Sequence, residues 1–252
     1  IVLCQYLVTL YRVDAAWVKT FLLPSLDWQA DPLQARSLWT AFMLTPRHYS
    51  PLLKEIKKQL LASAKHQAEL GMAAEQYAYF LAYSALHGTA GFTNDDFREA
   101  ISQLPEEGRV YAIRAVTDQL LNTGDKKAVF WEKNVVPFWQ EIWPKDNKHI
   151  SSAIAEEAAR LCIAADSNFP QALDMLEGWL VKIERPFSIV RLLSKSSLCQ
   201  QFPEQSLELL DSVIDDVGIA QSELKQCLDE ISHHSPSLSK NNKFIALRNK
   251  IN

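Results

Sequence analysis

Five prolines, Pro105, Pro137, Pro170, Pro203 and Pro236, stand 32, 33, 33 and 33 residues apart. A fixed period near 33 residues is the spacing of stacked helical hairpins, and no other feature restricts the fold of this chain as much. Proline suits the first turn of a helix, where its missing N–H would have no partner, and disrupts a helix interior. Prolines at this period therefore read as a helix start that recurs once per hairpin.

The composition agrees with that reading. Only 7 of 252 residues are glycine, and Leu, Ala, Lys, Glu and Gln, all good helix formers, fill the segments between prolines. Local start signals are plentiful. Asp31-Pro32 and Ser50-Pro51 pair a capping side chain with proline, Leu104-Pro105-Glu106-Glu107 and Phe202-Pro203-Glu204 put carboxylates in a first turn, and Thr93-Asn94-Asp95-Asp96 has the spacing of a capping box. Behind these starts, apolar residues recur at helical intervals: Leu53, Ile56 and Leu60; Ile154, Ala158, Leu161 and Ala165; Leu207, Leu210, Ile214 and Val217. The pattern predicts helices near 2–11, 15–23, 32–43, 51–69, 74–86, 94–103, 105–122, 126–136, 152–165, 170–182, 187–196, 203–217, 222–233 and 238–250, with no stretch of strand alternation.

Two periods also match in sequence. Phe169-Pro170-Gln171 with Ala172-Leu173-Asp174-Met175-Leu176 aligns, after one inserted residue, with Phe202-Pro203-Glu204-Gln205 and Ser206-Leu207-Glu208-Leu209-Leu210. The expected fold is all-α: an irregular helical part over 1–100 passing into stacked hairpins over 101–252, resembling a HEAT-type α-solenoid. The Trp-Gly-Tyr-Ala-Pro pattern of tetratricopeptide repeats is absent. Trp17, Trp28 and Trp39 are spaced by eleven, but Pro24 and Pro32 interrupt any single helix through them.

Chemical motifs are scarce. The six histidines form no H-x-x-x-H or H-E-x-x-H pair, the four cysteines no C-x-x-C, and glycine is too rare for a phosphate-binding loop. No catalytic residue, metal ligand or cofactor is expected. Well-separated cysteines read as reduced, buried thiols of a cytoplasmic protein. The net charge of -4 argues against general attraction to nucleic acid or anionic membrane. Lys54, Lys57, Lys58 and Lys65, and again Lys240, Lys243, Arg248 and Lys250, make local basic faces that read first as solvated surface. The apolar start Ile1 to Leu10 resembles a core helix more than a signal peptide. With no initiating methionine, it suggests a piece of a longer polypeptide.

The densest aromatic segment runs from Phe130 to Lys145, with Trp131, Val135, Trp139 and Trp143 at intervals of four. It forms one stripe if the helix continues past Pro137. Such a stripe reads as a core cluster; exposed beside Lys145 and Lys148, it would be a protein-binding hot spot. Trp139, Trp143, Lys145 and Lys148 are accordingly the candidate partner-binding residues.

Several segments carry a family resemblance: His48-Tyr49-Ser50-Pro51-Leu52-Leu53, Glu75-Gln76-Tyr77, Pro137-Phe138-Trp139-Gln140-Glu141-Ile142-Trp143-Pro144, Phe169-Pro170, Leu198-Cys199, Phe202-Pro203, Leu207-Glu208-Leu209-Leu210-Asp211 and Gln226-Cys227-Leu228-Asp229. Over roughly residues 46 to 232 the chain resembles a helical domain found in bacteria, C-terminal to a sirtuin-like NAD-hydrolysing domain in large anti-phage defence proteins. The resemblance implies a sensor, regulatory or assembly part without catalysis of its own, whose partner is a phage component or the effector domain of the same chain. No NAD-binding residue carries over, since these residues hold neither a glycine-rich NAD site nor a sirtuin histidine motif. A generic cytosolic scaffold and a HEAT-like nucleic-acid binder are the alternatives, and oligomerisation is left open.

Overall fold

The computed structural model describes residues 2–146, 150–215 and 221–251. Among these the fold is all-α, with no strand and one isolated parallel bridge between Ile183 and Ile214. No helix of the described residues is long and apolar enough to cross a membrane. The chain forms two compact units, Ile1–Val116 with Lys133–Lys145, and Thr117–Glu132 with Asp146–Asn252. This division falls elsewhere than at residue 100, because the aromatic segment packs with helices that precede it in sequence.

In the first unit, the helix Pro32–Met43 starts where Asp31 predicts, the aspartate oxygen accepting from the N–H groups of Leu33 and Gln34. It packs against the 3-10 helix Ser63–Ala73 and the helix Ala74–His87. Buried rings fill the space between them, each with its polar tip satisfied. Trp39 Nε1 donates to the Leu26 carbonyl at 3.0 Å, Trp28 Nε1 to Ser63 Oγ at 2.7 Å, and the Tyr77 hydroxyl to the Leu60 carbonyl at 2.7 Å. Trp17 takes no part in that core, being 39% exposed. The capping box forms as its spacing predicts: Thr93 and Asp96 satisfy each other's backbone N–H at the start of Asn94–Gln103.

The expected helix 51–69 is broken. It runs as Ser50–Glu55, then Lys57–Ala62, then the 3-10 stretch to Ala73, where Gly71 adopts φ +57°. Ser63 marks the change of register: its hydroxyl bonds back to the Gln59 carbonyl at 2.8 Å, a contact that loosens the α ladder.

The second unit is more regular. Ser152–Ala164 packs on Phe187–Lys195, which packs on Gln221–His234; beside them Phe169–Leu176 packs on Pro203–Val213, which packs on Asn242–Asn249. First helices thus lie on first helices and second on second, giving two layers. Polar cross-links carry the same period. Glu184 N–H to Ser152 Oγ, Ser188 Oγ to Glu156, Lys182 Nζ to the Ile214 carbonyl and Gln226 to the Ser194 carbonyl each span 32 residues. Lys243 to Glu208 and Lys250 to the Asp215 carbonyl each span 35.

The two sequence-matched starts are neighbours. Phe169 and Phe202 touch with ring centroids 6.2 Å apart, and Pro170 and Pro203 open their helices. Both helices end earlier than the apolar stripes suggest, because Ile183 N–H donates to the Val213 carbonyl at 2.8 Å and draws Ile214 into extended backbone. The later part of the expected 203–217 helix, with Val217, lies outside the described residues.

Candidate functional site

The Phe130–Lys145 segment does continue through Pro137, in widened form. Trp131–Val135 and Phe138–Ile142 are π-helical, and Trp143 N–H donates to the Phe138 carbonyl five residues back at 2.8 Å. In an α-helix, four residues overshoot a full turn by about 40°, so a stripe at intervals of four drifts off its face. Wider turns hold more residues and take up that drift. Trp131, Val135, Trp139 and Trp143 are all buried.

Trp131 belongs to the second unit, where its indole N–H donates to Gln171 at 2.7 Å. Trp139 and Trp143 belong to the first, stacked with centroids 4.9 Å apart and planes 11° apart. The turns that carry them lie on Asn94–Gln103 and Ala74–His87. Asn94 donates to the Glu141 carboxylate at 2.6 Å, Arg98 to the Glu141 carbonyl, and Asn134 to the Leu86 carbonyl at 2.7 Å.

At 2% and 1% exposure, Trp139 and Trp143 are core residues and present no surface to a partner. Their burial follows from the local excess of apolar area, which the two neighbouring helices cover. Lys145 Nζ donates to the Trp139 carbonyl at 2.9 Å, as a lysine near a helix end commonly does. Loss of hydration, and then the positive charge of Arg98, hold its pKa below the usual lysine value. Lys148 lies outside the described residues.

The basic faces are largely engaged within the fold. Lys57 pairs with Asp96 at 2.5 Å and donates to the Gly91 carbonyl at 3.0 Å, while Lys58 and Lys65 share a cleft with Asp96 and Glu99. Near the C-terminus Lys243 meets Glu208 and Asp211, Arg248 meets Asp229 at 2.8 Å, and Lys250 donates to the Asp215 carbonyl. These bases join consecutive helices and do not align as a phosphate-binding track.

Sequence reading missed a groove of about 350 Å³ in the second unit. Its apolar lining includes Leu121, Ile163, Leu192 and Leu198, with Leu121 and Leu192 51% and 38% exposed. The polar lining has both signs. Lys127 pairs with Asp166 at 3.6 Å, and Arg160 lies 3.6 Å from Glu156 and 3.5 Å from Glu157. Asp166 follows the end of Ser152–Ala164 with φ +57°, a conformation that glycine adopts freely and other residues resist. These residues come from four separate stretches, none distinctive alone; a non-glycine residue at a helix C-terminal turn is the one local signal, and it requires φ to be known.

Among the described residues no group of three His, Cys, Asp or Glu side chains converges as a metal site needs. The chain is similar to an uncharacterized protein, y4cA, of Sinorhizobium fredii: 24% identical over 162 residues, which are 63% of this chain and 14% of that protein. This chain therefore spans a small part of its relative's length. No protein-family model and no solved structure matches it.

Proposed function

We propose that this chain is a non-catalytic helical-repeat interaction module, the sensor, regulatory or assembly part of a larger cytoplasmic bacterial anti-phage protein whose separate effector is a sirtuin-like NAD hydrolase. The observation that carries the reading is the layered second unit, whose cross-links recur at 32 and 35 residues. Contact between successive hairpins is the organising rule of α-solenoids such as HEAT arrays, which work by offering extended surface to other proteins. The great length of the Sinorhizobium relative favours a part within a multidomain whole. The bacterial defence context rests on the sequence resemblance.

In this reading the groove at Leu121 and Leu192 receives an apolar side chain of the partner, with Lys127 and Arg160 at its rim. The test is capture of phage proteins, or of the effector domain, by the chain and by the double variant Leu121→Lys, Leu192→Lys. Both positions are open enough to accept lysine without unfolding. Loss of at least about tenfold in affinity is expected for a buried apolar anchor, worth roughly 1.5 to 3 kcal/mol. Equal capture by both forms would rule out the groove. No partner among phages that trigger the full-length protein would rule out the sensor role.

A further inference from the structure

In the first unit a pocket of about 110 Å³ forms where the short helices Val2–Gln5 and Leu7–Val13 meet the end of Pro32–Met43 and the turn after it. Buried Val8 and Phe42 are its apolar lining, and Gln5, Tyr6, Thr9, Thr45 and Arg47 its polar lining. The Thr45 hydroxyl donates to the Gln5 carbonyl at 3.2 Å and ties the turn to the first helix. Pro46, next in the chain, restricts the backbone that carries Arg47.

The remaining polar tips are unused. Among the described residues, the side chains of Gln5, Tyr6, Thr9 and Arg47 make no hydrogen bond, ion pair or ring contact. Arg47 in this respect differs from Lys57, Lys243 and Arg248, each of which meets a carboxylate. The pocket lining has no acidic residue, and neither do the stretches that supply it. The chain has no Asp or Glu before Asp14, and none between Asp31 and Glu55, where Arg36, Arg47 and Lys54 fall. In a chain of net charge -4, that is a local reversal of sign. Unpartnered O–H and N–H donors around one fixed positive charge, with no negative one, are complementary to an anion. The donors come from two separate segments, which suits a tetrahedral oxyanion; a planar carboxylate is satisfied by the guanidinium fork alone. The volume is enough for an ion with four oxygens.

We propose that this pocket binds a phosphate group, with Arg47 supplying the charge and Thr9, Tyr6 and Gln5 the further hydrogen bonds. Inorganic phosphate and the phosphate monoester of a small molecule present the same group. In the second case the organic part rests on the Tyr6 ring, which is 58% exposed. The site belongs wholly to the first unit, and its existence does not depend on the role of the groove at Leu121 and Leu192.

The test is calorimetric titration of the chain with inorganic phosphate, adenosine monophosphate and acetate, at an ionic strength held constant with chloride. Saturable binding of phosphate or the monoester, with acetate weaker, is the expected result. Tighter binding of the monoester than of phosphate identifies the ester as the ligand; equal or weaker binding identifies the free ion. Arg47→Gln should cost about tenfold or more in affinity and Thr9→Val about threefold, as bonds to a charged group do. Both side chains are exposed, so the variants should keep the wild-type circular dichroism. Arg12→Gln, an equal change of charge at an exposed residue outside the pocket lining, should leave the affinity unchanged. The proposal is overturned by absence of saturable binding, by acetate binding as tightly as phosphate, by an unchanged affinity in Arg47→Gln, or by an equal loss in Arg12→Gln.

Discussion

The Oδ2 atom of Asp96 accepts from Thr93 N–H at 2.6 Å and from the Thr93 hydroxyl at 2.8 Å, and pairs with Lys57 at 2.5 Å. Partial burial opposes its ionisation, but the Lys57 and Thr93 bonds outweigh that cost and hold the carboxyl below its ordinary value of 3.8. The stability this carboxylate contributes is therefore complete above 3.8 and disappears as acid titrates the folded group below that pH. Asp96→Asn should lower the chemical-denaturation midpoint at pH 7, and the gap to the wild-type protein should narrow steadily below pH 3.8. Thr93→Ala, which removes the reciprocal cap, should cost about 1 kcal/mol at neutral pH. A gap independent of pH would mean that Asp96 acts through shape alone.

Elements show where the sequence is legible. Helix starts at Asp31, Thr93 and Pro203 appear where they are expected, since a cap depends on residues within one turn. The helices expected from 51 and 170 each begin one residue early, with Tyr49 and Asn168 at the cap positions. The widened turns around Pro137 have no mark in the residue pattern that sets them apart from an α ladder, and the cover over Trp139 and Trp143 comes from helices some 40 to 60 residues earlier. The groove at Leu121 and Leu192 depends still more on distant stretches.

Gly108 is another residue whose role lies in tertiary contact. A Cβ there would fall 3.0 Å from Gln67 Oε1, and Gln67 is buried and held by its bond to the Ala74 carbonyl at 2.9 Å. Gly108→Ala gains up to about 1 kcal/mol in helix propensity but forces an overpacked contact costing about 1 to 3 kcal/mol. Net destabilisation near 1 kcal/mol is expected by urea titration. In a Gln67→Ala background the same change should become stabilising, and a cycle without coupling would reject the contact.

For the whole molecule, the layered second unit predicts how damage spreads. The turn Pro236–Lys240 and the helix Asn242–Asn249 rest on the two helices before them, Pro203–Val213 and Gln221–His234. Removing residues 236–252 should lower Tm by several degrees and remove helical circular dichroism in proportion to the residues lost, leaving the earlier layers folded. Wholesale loss of helix would show that cooperativity is global and not passed from neighbour to neighbour.

The interleaving of the two units bears on synthesis as well as stability. The first unit needs Lys133–Lys145, yet the ribosome makes Thr117–Glu132, which belong to the second, before it. At about 5 to 20 residues per second, the helices Ala74–His87 and Asn94–Gln103 wait a few seconds with the face that receives Trp139 and Trp143 uncovered. During that interval the nascent chain is a natural client for a holdase, and slow codons between 117 and 145 would lengthen its exposure.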